Sequence, residues 1–147
     1  MGGEKSSLPF NAMVFRIRES TYKAMIKHCL GQRPYEACGL LSGKNGQTDT
    51  LWEMKNILCS PTSFAMDEVQ LRQTFKKMEK SGGRLTGIYH SHPTGPPRPS
   101  STDIANATYP EAVYLIVSLA QTTPSVGCYR ILGKSQVIPL SLNILSG

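Results

Sequence analysis

The sequence predicts an α/β fold in which a mixed β-sheet is flanked by about three helices. Short strand-like segments alternate along the chain with longer segments of helical periodicity. Residues 112–119 form an almost continuous apolar run, which is typical of a central strand buried on both faces. An Asn45-Gly46 pair between two apolar segments indicates a hairpin, so some strands are expected to be antiparallel.

Composition indicates one globular domain. The chain has 147 residues, of which 39% are hydrophobic and 18% are charged. We expect a flexible N-terminal tail over residues 1–12 and a single domain over residues 13–147. No apolar run approaches the roughly 20 residues of a membrane helix, and the N-terminus lacks the hydrophobic core of a signal peptide, so a cytoplasmic location is expected. The four cysteines are scattered without a Cys-x-x-Cys pair and predict reduced thiols.

A strand and a helix are predicted at the start of this domain. Residues 13–18 alternate apolar and polar side chains, as a strand with one buried face does. A helix is expected next, with Ser20 as its N-cap and Gly31 as its stop. Four residues at helical spacing form its apolar stripe: Tyr22, Met25, Ile26 and Cys29.

A hairpin, a second helix and further strands follow. Strands over residues 38–42 and 50–54 flank the Asn-Gly turn. The second helix spans about residues 67–81, with acidic residues at its start and lysines near its end, as the helix dipole favours. Its inner face is assigned to Val69, Leu71, Phe75 and Met78. Beyond residues 112–119, strands at about residues 126–132 and 137–140 complete the sheet.

The most specific segment is Tyr89-His90-Ser91-His92-Pro93. Residues 85–89 before it are short and β-prone, so His90 and His92 are expected at the end of a strand. Side chains two positions apart on a strand point the same way, so both imidazoles can reach one metal ion. The four prolines from Pro93 to Pro99 exclude a helix or a central strand there and predict a stiff connector.

The connector leads to a Ser-x-x-Asp arrangement. Ser100 or Ser101 is expected to cap a helix that carries Asp103 in its first turn. Alone, Ser-x-x-Asp is more often a plain capping box, and His-x-His is more often a pair of half-buried or surface histidines. In combination, two histidines and one aspartate with a water in the fourth position make the open ligand set of a catalytic zinc site.

These residues resemble the motif of one family. His90-Ser91-His92-Pro93, followed after six residues by Ser100-x-x-Asp103, resembles the His-x-His-x7-Ser-x-x-Asp motif of JAMM (MPN-plus, JAB) metalloproteases without departure. Glu36 matches the glutamate that the family carries upstream. The resemblance extends from about residue 14 to residue 140 and implies the JAMM fold, which is similar to that of cytidine deaminases.

The resemblance implies a zinc metallopeptidase with a role for each of these residues. His90, His92 and Asp103 would hold Zn²⁺, which lowers the pKa of a bound water toward about 7 and polarises a substrate carbonyl. Glu36 would be the catalytic base that takes the proton of the water and passes it to the leaving amine. Ser100 would be the second catalytic residue and donate a hydrogen bond to the oxyanion.

The resemblance also implies a substrate. Short stand-alone bacterial members act on ubiquitin-like sulfur-carrier proteins and free the C-terminal Gly-Gly from an added residue such as cysteine. The chain lacks room for the two long insertions of polyubiquitin-specific members, which favours a sulfur-carrier partner. The alternatives are a deubiquitinase-like isopeptidase, a cell-wall or phage-type peptidase and, from another class, a non-catalytic binding scaffold of the JAMM fold. A zinc deaminase is disfavoured because it would need a Cys-x-x-Cys ligand pair.

The net charge of +6 is concentrated in one region. Between residues 71 and 100, six basic residues accompany Glu79 alone: Arg72, Lys76, Lys77, Lys80, Arg84 and Arg98. A solvated helix face is the first interpretation and docking of an acidic protein partner the second. Neither nucleic acid nor a membrane is expected as a partner, because no aromatic residues interleave with the charges and no membrane segment is present. A Gly-Gly tail would enter extended and bond mainly to residues 60–66.

Overall fold

The computed structural model describes residues 13–147, and the tail expected over residues 1–12 lies outside the described residues. The described elements alternate between strands and helices, as the sequence predicts. They are β1 (Val14–Arg18), α1 (Glu19–Gln32), β2 (Cys38–Lys44), β3 (Gln47–Met54), α2 (Glu68–Lys80), β4 (Arg84–His92), α3 (Ser101–Asn106), β5 (Val113–Ser118), β6 (Ser125–Ile131) and β7 (Val137–Leu145). That residues 13–147 form a single domain stays a prediction. No helix in this range has the length and apolar character needed to cross a membrane.

The strands form one mixed sheet that closes on itself in the order β1-β3-β2-β4-β5-β6-β7. The pairs β2–β3, β2–β4, β5–β6 and β6–β7 are antiparallel, whereas β4–β5 and β1–β7 are parallel. The mixed sheet is as predicted, but its closure is not. Closure depends on β7 running to Leu145, well past residue 140, so that its second half pairs with β1. The remaining junction, between β1 and β3, is parallel and consists of one residue pair, Ile17 with Thr48.

The β2–β3 hairpin turns at Asn45 and Gly46, as predicted. Both residues have positive φ, 55° and 75°. This combination defines the type I′ turn, which Asn-Gly favours because glycine adopts positive φ without steric cost.

Two details of α1 and one of α2 differ from the prediction. Helix α1 begins at Glu19 and has no side-chain cap, while the Ser20 hydroxyl donates to the carbonyl of Gly147 at 2.8 Å. Gly31 lies inside α1, which ends at Gln32 because Arg33 precedes Pro34 and is forced out of the helical region, with ψ at 141°. In α2, Val69 is 50% exposed, and the buried face is completed by a residue that the prediction omitted, Thr74.

Two apolar layers lie on the two faces of the sheet. β5 supplies side chains to both, because alternate residues of a strand point to opposite faces. Val113, Leu115 and Val117 pack in the layer that contains the inner face of α1. Tyr114 packs in the other layer, which includes α2 and α3. The continuous apolar run of this strand therefore means burial on both faces, as predicted.

Candidate metal centre

Strand β4 ends with the two histidines, between β2 and β5. His90 pairs in register with Cys38 of β2 and with Ile116 of β5. Because β2 and β4 are antiparallel, extending this register by two residues brings Glu36 opposite His92. The predicted position of the histidines at a strand end is confirmed, and Glu36 lies on the adjacent chain segment.

Three ligand atoms converge on one point. Nε2 of His90 lies 3.1 Å from Nε2 of His92. Each of these nitrogens lies 3.0 Å from Oδ2 of Asp103. Both imidazoles are buried, at 2% and 9% exposure. Among the residues that the structure describes, these three form a group whose ligand atoms could hold one metal ion.

The donor set and its spacing fit zinc. Tetrahedral zinc with bonds of about 2.0–2.1 Å separates its ligand atoms by about 3.3–3.4 Å, so the observed distances of 3.0–3.1 Å need to widen by only a few tenths of an ångström. Nδ1 of His92 lies 2.8 Å from the carbonyl oxygen of Pro96. A proton on Nδ1 makes this hydrogen bond and leaves the lone pair of Nε2 free for a metal, an arrangement typical of metal-binding histidines.

The protonation states of two of the three residues suit metal binding. Burial alone would raise the pKa of Asp103, but hydrogen bonds from His90 and His92 outweigh burial and hold this pKa well below its usual range. Burial lowers the pKa of His90, although Asp103 opposes the effect. At neutral pH, Asp103 is therefore ionised and His90 neutral, the forms in which they coordinate metals. Burial would lower the pKa of His92, but hydrogen bonds to Asp103 and the Pro96 carbonyl raise it, so metal binding displaces a proton from Nε2 of His92.

The proline-rich connector, residues 93–99, is fixed at three consecutive carbonyl groups. The donors lie on β5, β4 and β6: Ser118 Oγ to Gly95 at 2.6 Å, His92 Nδ1 to Pro96 at 2.8 Å and the Tyr129 hydroxyl to Pro97 at 2.8 Å. Gly127 of β6 lets the connector come close, because a Cβ there would overlap the carbonyl oxygen of Pro97. The connector is therefore stiff, as its prolines predict, and one of its three anchors is the metal-ligand candidate His92.

Helix α3 brings Asp103 to the histidines through its first turn. The backbone N–H of Asp103 donates to Oγ of Ser100 at 3.0 Å, and the backbone N–H of Ser100 donates to Oδ2 of Asp103 at 2.9 Å. This reciprocal pair is a capping box. Of the two predicted caps, Ser100 and not Ser101 occupies the N-cap. The capping box orients the same carboxylate oxygen that meets the two histidines.

Glu36 is buried beside this group. It is 4% exposed, and its Oε1 has no hydrogen-bond partner among the described residues. Burial raises the pKa of Glu36 to about 7, with His92 opposing the rise and Asp103 adding to it. Glu36, His92 and Ser100 line one open cleft. The five residues that the sequence singled out thus lie on three segments of the chain that meet here.

Sequence reasoning missed Asn56, which organises the loop that follows β3. Its Nδ2 donates to the carbonyls of Glu36 and Ser63, both at 3.0 Å. Its Oδ1 accepts from the backbone N–H groups of Leu58 and Ala65. Asparagine side chains often bond to backbone groups near them in loops, and an asparagine directly after a strand was the available signal. Asn56 thereby joins the loop to the segment that carries Glu36.

Phe64 is a second residue that the sequence did not indicate. Its ring stacks on the imidazole of His90, with centroids 4.6 Å apart and planes inclined by 29°. The stacking covers one face of His90 and holds its ring in the plane that directs Nε2 toward Asp103.

Comparisons with known proteins agree with the resemblance. The family described as prokaryotic homologues of the JAB domain matches residues 18–131. A CysO-cysteine peptidase of Mycobacterium tuberculosis is 36% identical over 107 residues, which cover 71% of this chain and 73% of that protein. A desampylase of Haloferax volcanii is 33% identical over 104 residues, which cover 69% and 75%. The solution structure of protein DSY2949 from Desulfitobacterium hafniense is 30% identical, with a TM-score of 0.80, over 92% of this chain and 94% of that chain.

Proposed function

The chain belongs to the family of prokaryotic homologues of the JAB domain and is a peptidase of that family, and we propose that it uses zinc to cleave the bond after the C-terminal Gly-Gly of a ubiquitin-like sulfur-carrier protein. One observation carries the proposal: three converging ligand atoms and a buried carboxylate share one site. The non-catalytic scaffold is disfavoured, because such a protein has no need to bury a carboxylate with an unpartnered oxygen beside a metal-ligand group.

His90, His92 and Asp103 would hold the zinc, which when bound supplies a Lewis acid for the substrate carbonyl and makes an adjacent water easier to deprotonate. Glu36 takes the proton of the attacking water, because its unpartnered oxygen is an acceptor beside the ligand group. The same carboxyl then donates this proton to the leaving amine. The hydrogen bond of Ala37 N–H to Ser91 Oγ, at 2.8 Å, and that of Glu36 N–H to Ser60 O, at 2.9 Å, fix the backbone that carries Glu36.

Ser100 stabilises the oxyanion by donating a hydrogen bond. Its hydroxyl oxygen accepts the capping hydrogen bond from Asp103 N–H. The hydroxyl proton is left free to donate, and Ser100 is exposed on the wall of the cleft. A donor held in advance at the place where negative charge develops stabilises the transition state more than the ground state.

The Gly-Gly tail binds along the loop after β3. This loop lies beside the metal-ligand group, because Phe64 stacks on His90, and its backbone is available to an extended tail. Around Phe64, the carbonyl of Ser63 and both backbone groups of Ala65 bond inward to Asn56 and Ile57. In an extended segment, neighbouring residues direct their backbone groups to opposite sides, so those of Phe64 face outward. They are the main-chain groups to which an extended tail bonds.

The body of the carrier docks farther away, on the basic end of α2. This end lies near Arg84, where β4 begins, whereas the histidines lie where β4 ends. Eight residue steps at about 3.3 Å separate these points by roughly 26 Å. An extended tail of about eight residues spans this distance, so one carrier can contact the lysines and the metal centre together.

The test uses one carrier protein with three C-terminal ends: Gly-Gly-Cys, Ala-Ala-Cys, and Gly-Gly joined to a lysine ε-amine. We expect cleavage of the first and roughly 10²-fold or greater loss in Glu36→Gln, the scale of one general base. Glu53→Gln, which changes an exposed carboxylate, is the matched control. Zinc content measured in each variant must be unchanged. Equal cleavage of the Ala-Ala end would refute Gly-Gly selection, and preference for the lysine conjugate would favour the isopeptidase. Retained activity in Glu36→Gln would assign the base elsewhere.

A further inference from the structure

We propose that Arg98 binds the free α-carboxylate of the residue that leaves on cleavage. The site then favours removal of one C-terminal amino acid over cleavage of an isopeptide bond. This inference rests on the proposed peptidase function, and it assigns to the connector a role in specificity.

Arg98 lies in the cleft that contains the reacting groups. Arg98 lines this cleft together with Ser100, Glu36 and His92. It contributes the one guanidinium or ammonium group among the side chains that line this cleft. Within residues 13–147, no carboxylate lies within ion-pair distance of Arg98. Arg98 is therefore a cation at this cleft without a carboxylate partner among the described residues, and its charge also reaches Tyr129, where burial raises the pKa and Arg98 opposes the rise.

The backbone of Arg98 is held in place by its neighbours. The three carbonyls that precede it accept hydrogen bonds from Ser118, His92 and Tyr129. Pro97 and Pro99 flank Arg98 and restrict φ on both sides. Only the side chain remains to be ordered when a ligand binds, and this lowers the entropic cost of binding.

The chemistry of the leaving group places a carboxylate near this cation. Glu36 donates a proton to the leaving amine, so that amine must lie beside Glu36. When the leaving group is a single amino acid, its carboxylate is attached to the carbon next to the amine and enters the same cleft. Of the side chains that line the cleft, Arg98 supplies the positive charge that attracts this carboxylate. The guanidinium group matches a carboxylate with two parallel hydrogen bonds.

An isopeptide substrate lacks this feature. Its leaving amine is at the end of a lysine side chain, four methylene groups away from the Cα and without a carboxylate beside it. Arg98 therefore discriminates between the two classes of bond that the peptidase could cut. Because Arg98 is exposed, solvent and salt weaken the interaction, and we expect a preference of roughly tenfold for the free acid.

The experiment compares two substrates that differ only at the C-terminus: a peptide ending in Gly-Gly-Ala with a free carboxylate, and the same peptide ending in a carboxamide. In each variant, kcat/KM is measured at low ionic strength for the free-acid peptide and for the carboxamide peptide. The ratio of the two values cancels any general loss of activity. Wild type should show roughly a tenfold ratio, Arg98→Lys a smaller one and Arg98→Gln a ratio near one. Arg72→Gln, which removes an exposed arginine of α2, should keep the wild-type ratio.

Two results would overturn the carboxylate subsite: a ratio near one in wild type, or an unchanged ratio in Arg98→Gln. In both cases the enzyme still cleaves the peptides, so the proposed function survives. If wild type cleaves neither the peptides nor the Gly-Gly-Cys carrier, the proposed function is wrong and this inference falls with it. A preference that is lost at high salt in wild type and absent in Arg98→Gln would support the electrostatic origin of the subsite.

Discussion

Replacing Ser100 separates two functions that the structure combines in one hydroxyl group. As N-cap of α3, its oxygen accepts from Asp103 N–H at 3.0 Å. As the proposed oxyanion donor, it uses its proton. Ser100→Ala removes both functions, Ser100→Gly removes the hydroxyl but leaves an acceptable N-cap residue, and Ser100→Thr keeps both.

The two functions differ in the size of their effects. Loss of a serine cap costs about 1 kcal/mol, whereas glycine at the same position costs only a few tenths. Even if the whole capping energy were transmitted to the reaction, 1 kcal/mol would change the rate only about fivefold. Loss of one oxyanion donor reduces kcat by about 10²-fold or more. A loss of about 10²-fold in kcat is therefore larger than the cap can explain.

We measure kcat on a Gly-Gly-Cys carrier, zinc content, and Tm by thermal unfolding. Ser100→Ala should lower Tm by roughly 3–5 °C, since about 1 kcal/mol has this effect in a domain of this size. Ser100→Gly should change Tm little, and both variants should retain zinc and lose about 10²-fold in kcat. Ser100→Thr is the control and should resemble wild type. Activity of Ser100→Gly within fivefold of wild type would refute the donor role, and an effect confined to KM would indicate substrate binding instead.

Three further predictions follow from the site. Asp103→Ala should retain less than a tenth of the wild-type zinc on metal analysis and lose activity, because three ligands become two; zinc equal to wild type would contradict the ligand assignment. Gly127→Ala should reduce kcat by roughly 10²-fold, because the new Cβ displaces Pro97 and with it the connector. Circular dichroism should show that the variant stays folded. An unchanged kcat would mean that the close approach of Gly127 to Pro97 is not needed for catalysis. Reversing three basic residues of α2 to glutamate should raise KM for the full carrier and weaken its salt dependence, with little effect on a short Gly-Gly-Cys peptide; equal effects on both substrates would make this face only a solvated surface. Those residues are Lys76, Lys77 and Lys80.

Local sequence patterns predicted most of the metal centre. The period of two on β4 brings His90 and His92 to one face, and the capping box that places Asp103 needs only residues three positions apart. Both features are decided within a few residues, so they can be recognised without knowing the fold. The Asn-Gly hairpin was predictable for the same reason.

Contacts between distant segments were not predictable. Asn56 donates a hydrogen bond to the carbonyl of Glu36, twenty residues away, and Gly127 of β6 lies against Pro97 of the connector. Closure of the sheet likewise depends on the first and last strands meeting. A strand pattern shows which residues are buried but not which strand lies alongside, so no local signal specifies these pairings.

The two differences between the predicted and the observed α1 have local causes. The sequence predicts Gly31 as the helix stop, but the helix continues through Gly31 at a modest cost in propensity and ends at Gln32. Pro34 is the stronger signal, because it forces the preceding residue out of the helical region. Ser20 is a good N-cap residue by type, yet the strand before it runs directly into the helix at Glu19.

The most direct test is a titration of the metal-free protein with zinc, in which the initial rate of Gly-Gly-Cys carrier cleavage is measured at each addition. The three ligand atoms converge on one point, so the rate should rise linearly and reach its plateau at one zinc per chain. Asp103→Ala titrated in parallel should stay inactive throughout. Full activity without metal, or no activity at one equivalent of zinc, would contradict a zinc-dependent peptidase.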